Sequence, residues 1–174
     1  MQYTEDGLAD GDRHEHGDEF FQLRLRLRQD EQESRKARKD DEPGVLGGER
    51  MQAWVFLPKH GTPPYQTVVF FPGSGAINTH TSVERRDMTA SFVVKSGRAF
   101  VLPIFKSTYE RTDTLTSDLP DQSILWRDHV VMWVRDYRRA LDYLRSRPDI
   151  DSTKFAYFGY SWGGNRGGGI PAIE

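Results

Sequence analysis

A pentapeptide near the end of the sequence, Gly159-Tyr160-Ser161-Trp162-Gly163, restricts the fold more than any other segment. It follows a short apolar run, Phe155-Ala156-Tyr157-Phe158, which reads as a buried strand. A strand that ends in a tight turn and feeds a helix lifts one side chain clear of its sheet. In a G-x-S-x-G pattern that side chain is a serine hydroxyl. Residues two places before and after it would press a Cβ into neighbouring backbone, and Gly159 and Gly163 carry none. The N–H of the following residue, Trp162, then points toward the oxygen of a bound acyl group. Ser161 is therefore the candidate nucleophile and Trp162 a candidate main-chain donor. A glycine-rich loop containing a serine would spell the same five letters, so the surrounding pattern has to decide.

That pattern begins at Thr67. Thr67 to Phe71 is continuously apolar, as suits a central strand covered on both faces, and it ends in Pro72-Gly73-Ser74-Gly75. A helical segment is expected around Thr81 to Ser96. A second apolar run, Ala99 to Phe105, follows. Trp126, Val130, Trp133, Val134, Tyr137, Leu141 and Leu144 then recur at three- and four-residue steps and form one helical stripe. Asp121 or Ser123 can cap that helix, and Pro148 ends it. His129, beside the stripe, reads as a packing residue. Alternating strands and helices imply a mostly parallel α/β sheet with right-handed crossovers, whose functional groups gather at the carboxyl ends of the strands. The Gly73-Ser74-Gly75 loop and Ser161 both fall at such ends. Ser107 to Pro120 reads as a polar loop; Tyr109, Glu110 and Arg111 within it, after a strand's carboxyl end, read as solvated, with a pocket lining as the alternative.

The amino-terminal part differs in character. Almost half of residues 1–50 are charged. Phe21, Leu23, Leu25 and Leu27 alternate with polar residues, which predicts one half-buried strand with an arginine-rich outer face. Gln29 to Glu42 reads as a surface helix or linker. Pro43-Gly44 and Gly47-Gly48 place a boundary between a charged segment, 1–47, and a domain, 48–174. Met51 to Leu57 is a further strand candidate. The net charge of −2 gives no nucleic-acid footprint. Cysteine is absent, which removes disulfides and thiolate sites and fits a reducing compartment. With no apolar leader or bilayer-length stretch in the sequence, a cytoplasmic chain without membrane contact is expected. His14 and His16 lack a third ligand at usable spacing, so no metal is expected.

Taken together, these segments resemble the α/β-hydrolase superfamily, in its dienelactone-hydrolase, acetyl-xylan-esterase and prolyl-oligopeptidase-like branches. The residues that carry the resemblance are Val68-Val69-Phe70-Phe71-Pro72-Gly73-Ser74-Gly75, Leu141-Asp142-Tyr143-Leu144, Asp149-Ile150-Asp151 and Phe158-Gly159-Tyr160-Ser161-Trp162-Gly163-Gly164. It covers about Glu49 onward and corresponds to roughly the first half of such a domain. It implies a serine nucleophile at Ser161, elbow glycines at Gly159 and Gly163, and an oxyanion hole made from the N–H of Trp162 and that of Ser74 or Gly75. It also implies a small ester or acyl substrate and no metal or organic cofactor. Many relatives open the oxyanion loop with His-Gly, where this chain has Phe71-Pro72-Gly73.

The family places its histidine base and orienting acid after the serine. Here no Asp or His follows Ser161. Upstream, His60 precedes the first central strand, at the wrong end of the sheet, and His80 follows the oxyanion loop at the correct end. Gly167-Gly168-Gly169 should shorten the helix after the elbow, since each glycine costs about 1 kcal/mol against alanine. The chain therefore reads as an incomplete α/β-hydrolase domain, truncated just after the elbow and inactive by itself, from a parent that could be multidomain. Two other readings stay open. One is a hydrolase-like binding or scaffold domain without catalysis. The other is an unrelated doubly wound domain holding a nucleotide at Gly73-Ser74-Gly75, although no G-x-G-x-x-G or G-x-x-x-x-G-K-[ST] pattern is present there.

Overall fold

The computed structural model of the chain describes residues 20–27, 51–82 and 86–173. The readings for His14, His16 and Gln29 to Glu42 lie outside those residues. Among the described residues five strands form one sheet: β1 (Phe20–Leu27), β2 (Met51–Pro58), β3 (Tyr65–Phe71), β4 (Ala99–Pro103) and β5 (Ile150–Gly159), in the spatial order β1-β2-β4-β3-β5. β1 runs antiparallel to β2 over their whole lengths, from Phe20 opposite Pro58 to Leu27 opposite Met51. β2 is antiparallel to β4, whereas β3 is parallel to both β4 and β5. Four strands therefore point one way and β2 alone is reversed. Among the described residues three α-helices accompany the sheet: α1 (Arg86–Lys95), α2 (Ile124–Arg145) and α3 (Trp162–Arg166).

The apolar runs are continuous because both faces of the sheet are covered. Side chains alternate across a strand, so each strand must feed two cores. Ala53, Val55, Val69, Phe71, Ala99 and Val101 face α2, where Trp126, Trp133, Tyr137, Leu141 and Leu144 meet them. Their neighbours Trp54, Phe56, Phe70, Phe100 and Leu102 face the other way, onto Ala90, Val93 and Val94 of α1. Every residue of β4 is buried.

Ser123 rather than Asp121 caps α2. Its Oγ accepts from the Trp126 N–H at 3.0 Å, while the Asp121 carboxylate accepts from the Ser123 N–H at 2.7 Å. The predicted stripe is the buried face of this helix. Trp133, fully buried, stands edge-on to Trp126, Phe71 and Trp162, with ring centroids 5.3, 6.2 and 4.9 Å away. Its indole N–H donates to the Lys106 carbonyl at 2.9 Å, as a buried polar tip requires.

Two expectations change. The last strand begins at Ile150, well before the apolar run at Phe155. The Tyr65 N–H donates to the Asp149 carbonyl at 2.8 Å and starts the pairing early, with an irregularity between Tyr65 and Thr67. β5 ends the sheet order, so Ser152, Thr153 and Lys154 stay exposed and read as loop residues. The segment after β4 is not a solvated loop either. Tyr109 and Arg111 are 5% and 6% exposed, in a short 3-10 turn, Tyr109–Arg111. The Arg111 guanidinium donates to the Asp136 carboxylate at 2.6 Å and to the Ile104 carbonyl at 2.7 Å, and the Lys106 N–H meets the same carboxylate at 2.8 Å. A charge can be buried when it is paired and hydrogen-bonded in this way. Glu110 accepts from both the N–H and the hydroxyl of Ser82, and Ser82 in turn accepts from the Trp54 indole.

Trp133 touches both the sheet and the residue after the serine, so removing it should loosen both. Trp133→Ala is expected to cost about 3–5 kcal/mol in urea unfolding. A loss below about 1 kcal/mol would mean that this contact does not organise the core.

Candidate active site

β5 ends at Gly159, and the chain reverses through Tyr160 and Ser161 into α3. Ser161 is exposed and holds φ 51° and ψ −110°. A positive φ is sterically costly for a residue with a Cβ, on the order of 1–3 kcal/mol, and persists only where surrounding structure imposes it. What imposes it here is the end of β3. The Tyr160 N–H donates to the Phe71 carbonyl and the Gly163 N–H to the Pro72 carbonyl, both at 3.1 Å. The packing is close enough to exclude side chains. A Cβ on Gly159 would sit 2.6 Å from the Gly164 nitrogen, and one on Gly163 would sit 2.8 Å from the Phe71 carbonyl carbon. Real Cβ atoms do not approach heavy atoms within 3.0 Å.

Trp162 anchors the far side of the turn. Its buried ring lies edge-on to Phe71 at 5.0 Å and to Trp133 at 4.9 Å. Tyr157 adds a pin that sequence reading missed: its phenol donates to the Gly163 carbonyl at 2.6 Å. Burial, with Tyr137 close by, pushes that phenol above its ordinary pKa, so it stays a donor throughout the working range. An aromatic hydroxyl two residues before the first elbow glycine was the available signal. α3 spans only Trp162–Arg166, and the glycines at 167–169 follow it as a turn.

The loop after β3 lies against this turn. A Cβ on Gly73 would be 3.0 Å from the Tyr160 ring and 3.5 Å from the Ser161 Cβ. Ser74–Ala76 forms a 3-10 turn, closed by Ala76 N–H to Gly73 O and Ile77 N–H to Ser74 O, both at 3.0 Å. The amides of Ser74, Gly75 and Trp162 have no acceptor among the described residues. Unpaired first-turn amides of this kind can receive an oxygen. The candidate nucleophile and the candidate donors thus share one rim of the sheet.

The histidines are placed differently. Among the described residues the Ser161 hydroxyl has no hydrogen-bond partner. His60 is exposed in the turn before β3, at its amino end. His80 is exposed beyond the 74–76 turn, with Nδ1 3.3 Å from the Thr112 hydroxyl. His129 is buried, and both of its ring nitrogens are engaged elsewhere, by the Leu125 carbonyl and the Asp113 carboxylate. No helix among the described residues is long and apolar enough to cross a membrane.

The geometry predicts opposite effects for two substitutions at the turn. Gly163→Ala drives a methyl into the Phe71 carbonyl and should destabilise the chain by about 3 kcal/mol. Ser161→Gly relieves the positive φ and should stabilise it by about 1 kcal/mol. Urea unfolding of both variants checks the pair. A neutral Gly163→Ala or a destabilised Ser161→Gly would contradict the strained turn.

Solved structures share the fold. The chain superposes on a cold-adapted esterase from an Arctic intertidal metagenomic library with a TM-score of 0.58 at 17% identity, over 91% of this chain and 60% of that one. A protein from Bacteroides fragilis described as an acetyl xylan esterase matches with a TM-score of 0.53 at 17% identity, over 70% and 37% of the two chains. One from Klebsiella pneumoniae described as a dienelactone hydrolase matches with a TM-score of 0.52 at 15% identity, over 83% and 51%. No family model and no curated protein matches the sequence. The chain spans at most 60% of the length of these three structures. What they share with it is the first part of one architecture, and the chain is a partial α/β-hydrolase fold.

Proposed function

We propose that this chain is the N-terminal part of a serine hydrolase that cleaves an ester or similar acyl bond, with Ser161 as nucleophile. The observation that carries the reading is the exposed serine held at φ 51° beside the 74–76 turn. The esterase names of the superposed structures support an ester substrate. In this reading Ser161 Oγ attacks the carbonyl carbon. The negative charge that develops on the carbonyl oxygen is met by the N–H of Trp162 and that of Ser74 or Gly75. Preorganised donors of this kind contribute about 3–4 kcal/mol each elsewhere. The C–O bond to the leaving alcohol breaks, an acyl-enzyme remains on Ser161, and water resolves it. Neither a metal nor an organic cofactor takes part.

A serine hydroxyl needs a base to take its proton. The described residues offer Ser161 no such partner, so the base and the acid that orients it are assigned to chain beyond them. The same observation favours a second reading, a hydrolase-like domain that binds without catalysis.

Incubation of the 174-residue chain with a fluorophosphonate, followed by peptide mass spectrometry, tests both. Trace modification confined to Ser161 and absent from Ser161→Ala is expected, with ester turnover near background. Indistinguishable wild-type and Ser161→Ala samples would remove the nucleophile and leave the binding reading. Rapid labelling that disappears in Ser161→Ala would place a working base inside these residues, against the assignment made here.

A further inference from the structure

A second charged cluster lies away from the elbow, where the segment after β4 crosses the first turns of α2. His129 is 2% exposed. Its Nδ1 lies 2.7 Å from the Leu125 carbonyl oxygen, and its Nε2 lies 2.9 Å from Asp113 Oδ2. A carbonyl and a carboxylate can only accept. Asp113 is held in its ionised form by further donors: the Ser107 hydroxyl at 2.5 Å, the Leu115 N–H at 3.0 Å and the Lys106 ammonium at 3.6 Å. Both nitrogens of His129 must therefore carry protons. From this geometry we infer that His129 is a buried imidazolium that latches the 112–115 segment to α2, and that raising the pH opens the latch.

A neutral ring has one N–H and one lone pair. Whichever tautomer forms, a lone pair faces either the Leu125 carbonyl or the Asp113 carboxylate, and one contact becomes repulsive. The charged and titratable groups facing the ring are Asp113 and Lys106 from the loop; from its own helix come the Leu125 carbonyl and the Trp133 ring, 6.1 Å away. Burial pulls the imidazole down and Lys106 adds to that, but the hydrogen bonds and the Asp113 charge outweigh both and raise it above 6.5. Burial likewise pushes Asp113 up, and its bonds from His129, Ser107 and Leu115 more than reverse this and hold it below the usual carboxylate range. The signs follow by linkage. The His129 contribution is fully present below about pH 6.5 and is lost as pH rises through the folded value. The Asp113 contribution fails only in strong acid.

The opening is local. The start of the segment is pinned separately: the Asp136 carboxylate accepts from the Lys106 N–H and the Arg111 guanidinium, and the Ser107 N–H donates to the Arg111 carbonyl at 3.0 Å. The released part includes Thr112, the partner of His80 beyond the 74–76 turn. The latch would thus connect pH to the rim that carries the candidate donors.

Two amides in the one segment provide the test. Leu115 N–H bonds to Asp113, whereas Lys106 N–H bonds to Asp136. Hydrogen exchange of the 174-residue chain, corrected for intrinsic rates, should show Leu115 protection falling as pH rises. The fall should be about tenfold for each unit by which folded His129 exceeds a free imidazole. Lys106 protection should stay flat. In His129→Gln the Leu115 amide should be weakly protected at every pH. Imidazole nitrogen NMR of the wild type keeps the idea falsifiable if that variant does not fold: both nitrogens should be protonated at pH 6.5. A ring already half neutral below pH 6.5, a flat Leu115 response, or equal responses of the two amides would overturn the latch.

Discussion

Two backbone hydrogen bonds hold the candidate site together. The carbonyls of Phe71 and Pro72, at the end of β3, accept from Tyr160 and Gly163 on either side of the serine. This interlock pulls the turn so close to the end of β3 that only glycine fits at 163, while the start of α3 folded back over 159 excludes a side chain there. It leaves Ser161 at a positive φ and brings the Gly73 loop against the Ser161 Cβ. The strain is sustained by rigid surroundings, because strained turns relax when their supports do. Here the supports are the aromatic contacts among Phe71, Trp133 and Trp162 and the Tyr157 hydrogen bond.

Much of the architecture was legible because the sheet is covered on both faces. Continuous apolar runs at Thr67 to Phe71 and Ala99 to Phe105, and the stripe from Trp126 to Leu144, have one reading in common. The elbow was legible for a steric reason, since its glycines are required by contact with other backbone. The lower half of β5 was not legible. At the end of the sheet, Asp151 to Lys154 need not be apolar, so the pattern that marks a buried strand is missing there.

The buried segment after β4 was hidden for a different reason. Arg111, Asp113 and Asp136 look like surface residues, and His129, although read as a packing residue, gave no sign of its carboxylate partner; each is buried or bonded only because of a partner far away in the chain. Asp136 pairs with Arg111 across 25 positions, and His129 with Asp113 across 16. Periodicity reports the face of an element, not its partner. Asp136 reads from the sequence as lying off the apolar stripe, yet it is buried; its spacing of three from Trp133 was the hint, because a charge on the buried face requires a counter-charge. Sequence reading found the reactive-looking serine and missed the polar frame behind it.

Amide hydrogen exchange at the elbow tests the account most directly. If β3 and the turn interlock as described, the Tyr160 and Gly163 amides are protected, while those of Trp162, Ser74 and Gly75 exchange at close to open-chain rates. Strong protection at Trp162 and Gly75 would mean that these amides already serve internal acceptors, which would contradict a site prepared to receive an oxygen.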